Sequence, residues 1–362
     1  MNSDLVSIPV DASTYASIER RFAQLLSTPD LFVLQGEAIV ALEAVARGFG
    51  RPGSHALNIV TGPYGLVFGN WLERQGSEVE NLEVPFNRAV SLDEIRDALA
   101  RQSFDVVSIV HAEAATGVVN RLEEIAAEVH RAGALIVVDA VASVGAESLE
   151  IDDWGLDATV VSPQKALGGP AGVTGVAISE AGWNAISANP SAPRDSVLSL
   201  LDWRDQWLSG DRSVLPLIAN HLETRALDVT INAVEHEGLS NVIARHAAAR
   251  DACRRGLRAL GVVPWVQNDV EAAAVATTLS PPDGVRAREL LDASRENALD
   301  SLSSVLNLAP GPLSSEALRI SHTGPRASIT DVLSTIAALG QGLQSLNVKC
   351  DIGSALAAVL EV

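Results

Sequence analysis

The chain has 362 residues, 47% of them hydrophobic, with a mean hydropathy of +0.20, which is too apolar for a disordered chain and too long for one ordinary core. Its 26 basic against 45 acidic residues leave a formal charge of −19 and a pI near 4.7, a balance that repels nucleic-acid phosphates. No apolar run approaches the roughly 18–20 residues of a membrane span. The opening MNSDLVSIPV lacks the basic-then-apolar pattern of a secretion leader, so the expected location is the cytoplasm. Cys253 and Cys350 are too few for a disulfide framework or a multi-cysteine metal site, and no metal is expected.

Taken in order, residues 1–30 read as an arm carrying one amphipathic helix, with Ile18, Phe22, Leu25 and Leu26 at helical spacing behind Asp11 and Ser13. Strand-like LFVL (31–34) leads into a helix over 37–49, HALNIV (55–60) into a helix over 66–75, and EVENLEV (78–84) into SLDEIRDALA, where Ser91 and Glu94 form a capping box. DVVSIV (105–110), the helix LEEIAAEVHRAG, ALIVVD (134–139), ATVVS (158–162) and GVTGVAIS (172–179) follow. Strands alternating with helices predict an α/β fold with a mainly parallel sheet covered on both faces. Residues 216–260 read as mostly helical, before strand-like AAAVATTLS (272–280), LRISHT (318–323) and the closing helix ITDVLSTIAALGQGL. The expected division is an arm over 1–30, a large cofactor-binding domain over 31–240, a smaller α+β domain over 241–345 and a tail over 346–362.

Of the 26 basic residues only Lys165 and Lys349 are lysine, so 24 are arginine. Lysine retained in such a background points to a need for an amine that can lose its proton, which arginine cannot do in a protein. Lys349 reads as part of a solvated segment; Lys165 does not.

Ligands bind open parallel sheets beyond the carboxyl ends of the strands. The loops there carry Glu37, Tyr64, His111, Glu113, Asp139, Gln164 and Lys165. Each alone has a structural reading: Asp139 as a strand-end cap, Tyr64 and His111 as core residues, Lys165 as a surface amine. Together, on one edge of one sheet, they have a chemical meaning. A desolvated lysine forms a Schiff base with an aldehyde, an aspartate holds a pyridine nitrogen protonated, and an aromatic ring covers the pyridine face.

HAEAATGVV, LIVVDAVASVG and WGLDATVVSPQKALGGPAGV, in that order between Val110 and Ile178, resemble the class V aminotransferases of fold-type I, in the alanine–glyoxylate and serine–pyruvate branch. The resemblance implies a pyridoxal-phosphate transferase fold with a seven-stranded sheet, Lys165 as Schiff-base lysine and proton carrier, and Asp139 on the pyridine nitrogen. It further implies Val141 under the ring, Tyr64 over it, Gln164 and Thr116 at its polar edge, and Arg319 on the substrate carboxylate. A homodimer or tetramer is implied as well.

The family's phosphate-binding turn, rich in small hydroxyl residues, reads here Gly36-Glu37-Ala38, with a carboxylate where a phosphate dianion would sit. The partner-facing segment GDRSVLPL has Leu215 before Pro216 where the family tends to have threonine. The first change is shared with the pyridoxamine–pyruvate aminotransferases of the same branch, which the chain resembles over nearly its full length: LQGEAIVALEA, TGPYGLVFGNW, NPSAPRDSVLSLLDW, ISHTGP and DIGSALAAVLEV. Those relatives carry a second carboxylate-binding arginine nine positions before the one matching Arg319; Pro310 stands there, and Arg212 from a second subunit is a candidate replacement.

The leading expectation is transfer of an amino group between unphosphorylated pyridoxamine and a small 2-oxo acid such as pyruvate, the aldehyde being held as an aldimine on Lys165 and Glu37 facing the 5′-hydroxymethyl group. The alternative is a pyridoxal 5′-phosphate-dependent alanine/serine–glyoxylate type enzyme with Glu37 turned aside. A cysteine desulfurase would need a mobile-loop cysteine, and a nicotinamide enzyme a G-x-G-x-x-G turn that QGEAIV does not supply. A non-catalytic binding protein would have no need of Lys165 and Asp139.

Overall fold

The computed structural model describes residues 9–29, 31–296 and 305–361; the ends of the arm and tail and part of the stretch preceding Pro310 lie outside the described residues. Helix α1 (Ala12–Leu25) is capped by Asp11, whose carboxylate accepts the Thr14 N–H. It is followed by β1 (Leu31–Gln35), α2 (Ala38–Phe49), β2 (His55–Val60), α3 (Pro63–Arg74), β3 (Glu78–Glu83), α4 (Leu92–Arg101) and β4 (Val106–Val110). Next come the hairpin β5 (Ala112–Glu113) and β6 (Val118–Val119), α5 (Leu122–Arg131), β7 (Leu135–Asp139), β8 (Ala158–Val161), β9 (Val173–Ile178) and α6 (Glu180–Ala188). A short α7 (Leu200–Asp202) continues as a π-helical turn over Trp203–Leu208, ahead of α8 (His221–Glu237) and α9 (Leu239–Ala259).

The large sheet has seven strands in the order β1-β9-β8-β7-β4-β2-β3. Only β9 runs against the others: it is antiparallel to both β1 and β8, while β8, β7, β4, β2 and β3 pair in parallel. The apolar runs of β4 and β7 are buried almost throughout because helices cover both faces. The box at Ser91 and Glu94 is present in both directions and opens α4. Gly175 lets α1 close on the sheet, since a Cβ there would stand 2.9 Å from the Phe22 ring.

The second body contains β10 (Val263–Pro264), β11 (Ala276–Ser280), α10 (Ala287–Glu296), β12 (Leu306–Leu308), β13 (Leu318–Ser321), α11 (Ile329–Ser345) and α12 (Ile352–Leu360). Its antiparallel sheet runs β10-β11-β13-β12. The main hydrophobic cluster runs from Val10 to Val242 and a separate one from Ala249 to Val359. The fold is thus the expected α/β sheet with a smaller antiparallel sheet beside it.

Several details differ from the sequence expectations. Helix α3 begins at Pro63, not at 66, because proline suits the first helical position. HAEAATG, read as a loop, is the β5–β6 hairpin; Gly117 turns it at φ 76°. No helix among the described residues is long and apolar enough to cross a membrane, and no group of three or more metal-ligating side chains occurs among them.

Candidate active site

The carboxyl ends of the parallel strands enclose a cavity of about 70 Å³. Glu37, Ala38, Tyr64, Asp139, Val141, Gln164 and Lys165 line it, together with Ile39, Leu42, Val110, Ala112, Ala114 and Ala142. Four separate segments, distant in sequence, therefore deliver the residues singled out above to one place, and a fifth, around 110–114, adds apolar wall. A larger cavity of about 510 Å³ opens beside α1, near Arg212, but the buried carboxylate there, Glu19, is already held by Val33 N–H, Trp207 Nε1 and Arg212 Nε.

Asp139 ends β7 with 8% of its surface exposed, and its Oδ1 accepts the Val141 N–H at 2.9 Å. Burial pushes its carboxyl up to about 6, while Val141 and the Lys165 charge pull the other way. Lys165 follows β8 on the turn Pro163-Gln164-Lys165; burial first, and then the Arg319 charge, hold its amine below the ordinary lysine range. Tyr64 stands in the first turn of α3 with its ring half-buried at the cavity, and burial raises its hydroxyl above the usual value.

Glu37 is the N-cap of α2. Its Oε2 accepts the Ile39 N–H at 2.9 Å and its Oε1 accepts from Gln164 Nε2 at 2.5 Å. The helix N-terminus, where free N–H groups and the helix dipole would hold an external anion, is occupied by the chain's own carboxylate.

Five expected residues do not line the cavity: Gly36, His111, Glu113, Thr116 and Arg319. Gly36 is engaged by its backbone, donating to Gly172 O and accepting from Thr174 Oγ1. Thr116 is fully buried in the hairpin turn, its Oγ1 accepting the Val118 N–H at 3.3 Å; Ala114, two residues earlier, takes the wall position instead. Arg319, on β13, reaches the hairpin from the small sheet, with Nη1 3.5 Å from Ala114 O, at the outer limit of hydrogen bonding. Its Nε is buried without a partner, and no carboxylate pairs with it among the described residues. His111 stacks edge-on against Trp154, and burial lowers its imidazole to about 4, so it stays neutral behind the site. Arg212 is held within its own chain by Glu19 at 2.8 Å, which removes it as a free replacement for an arginine at Pro310. Sequence reasoning missed the apolar wall of Ile39, Leu42 and the hairpin alanines, which carry no chemical signature.

Residues 12–193 match the family model Aminotransferase class-V. The chain is 34% identical to the pyridoxamine–pyruvate transaminase of Mesorhizobium japonicum, over 91% of this chain and 83% of that protein. The chain belongs to the class-V aminotransferase family. A crystal structure of pyridoxamine–pyruvate aminotransferase from Mesorhizobium loti superposes with a TM-score of 0.91 at 31% identity, covering 98% of this chain and 91% of that one. The serine–glyoxylate aminotransferase of Arabidopsis thaliana is 26% identical over 99% of this chain and 88% of that protein. As a class-V aminotransferase the chain is a transaminase, and the family implies a pyridoxal-type group. The residues fit the ring end of that group: a buried carboxylate, a lysine amine, and Tyr64 and Val141 on the walls. They do not fit its phosphate, because the Glu37 carboxylate fills the anion position.

Proposed function

We propose that this transaminase moves an amino group from unphosphorylated pyridoxamine to a small 2-oxo acid such as pyruvate, giving pyridoxal and the amino acid. The observation that carries this reading is the double engagement of Glu37 across the start of α2. Two unit charges at ~4 Å repel by roughly 4 kcal/mol at an effective dielectric of 20, and a phosphate dianion would meet that repulsion more than once. An uncharged 5′-hydroxymethyl group meets no such barrier and can donate to the same carboxylate.

When bound, the pyridine ring draws off the electron pair released at the reacting carbon. Asp139 holds the ring nitrogen, Tyr64 and Val141 bracket the ring faces, and Lys165 takes a proton from the amine-bearing carbon and delivers one to the α carbon of the new amino acid. Arg319 takes the acceptor's carboxylate: a largely buried guanidinium without an anionic partner is costly until an anion arrives. With Pro310 standing where the pyridoxamine–pyruvate relatives carry a second arginine, one guanidinium serves an acceptor with one carboxylate.

The assembly in this reading is a homodimer. Ile218 and Val214 are 90% and 62% exposed in the segment before α8, and the Asn220 N–H of that segment bonds Gln35, two residues from Glu37. A second copy covering these apolar side chains would close the cavity from outside.

The reading is tested by comparing pyridoxamine with pyridoxamine 5′-phosphate as amino donor to pyruvate. A kcat/KM at least a hundredfold higher for pyridoxamine is expected. Equal or better use of the phosphate ester would replace this reading with a phosphate-dependent alanine/serine–glyoxylate type enzyme.

A further inference from the structure

Helix α3 has Gly62 as its N-cap, a residue without a side chain to cap it, and Pro63 and Tyr64 follow as its first two residues. The missing acceptor comes from elsewhere: Glu113 of the β5–β6 hairpin accepts the Gly65 N–H on Oε1 at 3.1 Å. Glu113 is fully buried, and its Oε2 has no hydrogen-bond partner. A Cβ on Gly62 would stand 2.4 Å from the Glu113 Cδ and 2.7 Å from Oε2, so the absence of a side chain at 62 and the presence of the carboxyl at 113 are one arrangement. The next residue in the chain back from Gly65 is Tyr64, whose ring forms part of the cavity wall. A Cβ added at Gly65 would stand 3.2 Å from Ile59 O, so the turn comes close to the end of β2.

We propose that Glu113 is a positioning residue: as a cap supplied from the hairpin, it fixes the first turn of α3 so that the Tyr64 ring lies over the pyridine ring of the bound amine. The proposal rests on the assignment of Tyr64 to the ring face made above. Glu113 does not touch the reacting atoms. Its contribution passes through the Gly65 N–H to the backbone that carries Tyr64. Loss of the contact lets Tyr64 tilt away, and the stacking gained on binding the pyridine ring goes with it, without loss of Lys165 or Asp139.

The test is a double-mutant cycle on KM for pyridoxamine and kcat, using Tyr64→Ala, Glu113→Ala, both together, Glu113→Gln and Glu113→Met, with thermal unfolding of each variant. Tyr64→Ala and Glu113→Ala should each raise KM for pyridoxamine roughly two- to tenfold, the size of one aromatic stack, with a smaller change in kcat. The double variant should be no worse than Tyr64→Ala alone, and Glu113→Gln, which keeps an acceptor oxygen for Gly65, should restore KM to within about twofold of the parent, whereas Glu113→Met, of similar volume but without that oxygen, should stay as impaired as Glu113→Ala. Gly62→Ala reaches the same contact with Glu113 intact and should reproduce the Glu113→Ala phenotype, so a folding failure of either alanine variant leaves the other to decide. Multiplying losses in the double variant, a Glu113→Gln enzyme as impaired as Glu113→Ala, or loss of folding in both alanine variants would overturn the proposal. If Tyr64→Ala itself leaves KM unchanged, the stacking assignment fails first, a different result from additive losses.

Discussion

Gln164 donates its side-chain N–H to Glu37 Oε1 at 2.5 Å, across 127 positions of sequence. The contact joins the residue next to Lys165 to the first residue of the turn that opens α2. It fixes the carboxylate over the helix N-terminus and leaves the neighbouring lysine free of that partner. In the proposed reading, the class of donor follows from this one bond and its companion at Ile39.

Replacing Glu37 with serine removes the charge and leaves a small hydroxyl cap with free N–H groups around it. Glu37→Ser should bind pyridoxal 5′-phosphate at least tenfold more tightly than the parent and pyridoxal more weakly, measured by absorbance titration. Gln164→Ala should shift the same preference in the same direction by a smaller factor, because Glu37 keeps its bond to Ile39 N–H but loses its second tether.

Arg319→Leu should act on two observables. KM for pyruvate should rise by about tenfold or more, the scale of a charge-assisted hydrogen bond. The Arg319 charge disfavours the Lys165 ammonium, so its loss raises the lysine pKa and lowers the fraction of free amine at neutral pH. Capture of pyridoxal by Lys165 should then slow at pH 7 and its pH profile move to higher pH. A KM effect without that movement would separate carboxylate binding from tuning of the amine.

Stability of the ligand-free protein should fall as pH rises from about 6.5 to 8; below that window the buried histidines His111, His246 and His322, held below the ordinary imidazole value, act in the opposite sense. Burial raises Asp139 to about 6 and Glu113 to about 8, above their unfolded values. Groups with raised folded pKa values contribute stability that is complete below the unfolded value and is lost as pH climbs through the folded one. Glu94, held at about 2 by Arg88 and its cap, works in the opposite sense and only in acid, where its contribution is lost as pH falls toward 2. Unfolding followed by circular dichroism should show a Tm lower by about 2–5 °C at pH 8 than at about pH 6.5, and Glu113→Gln should flatten that slope. A Tm rising through this window would contradict the buried setting of Glu113.

Much of this was legible in the sequence, for physical reasons that differ from element to element. HALNIV was readable because a doubly covered parallel strand must be apolar almost throughout, and Ser91 with Glu94 because a capping box needs those two types three apart. Lys165, Asp139, Tyr64 and Glu37 could be placed on one edge because strand ends in such a sheet all open the same way. The hairpin was not legible: two-residue strands carry no periodicity, and the alternation in Ala112, Glu113 and Ala114 looks like any loop. Thr116 was drawn toward the site by its hydroxyl, yet the turn at Gly117 faces it inward and leaves Ala114 on the cavity wall. Helix α10 escaped notice because its stripe, Ala287, Leu290, Leu291 and Ser294, is short and carries only two large apolar side chains.

The most direct test is titration of ligand-free protein with pyridoxal and, separately, with pyridoxal 5′-phosphate, following the visible absorbance of aldehyde captured by Lys165, with Lys165→Ala as control. The account predicts saturable capture of pyridoxal at concentrations at least tenfold below those needed for the phosphate ester, and none in the alanine variant. Tighter capture of the phosphate ester would contradict it, because Glu37 would then not guard the start of α2.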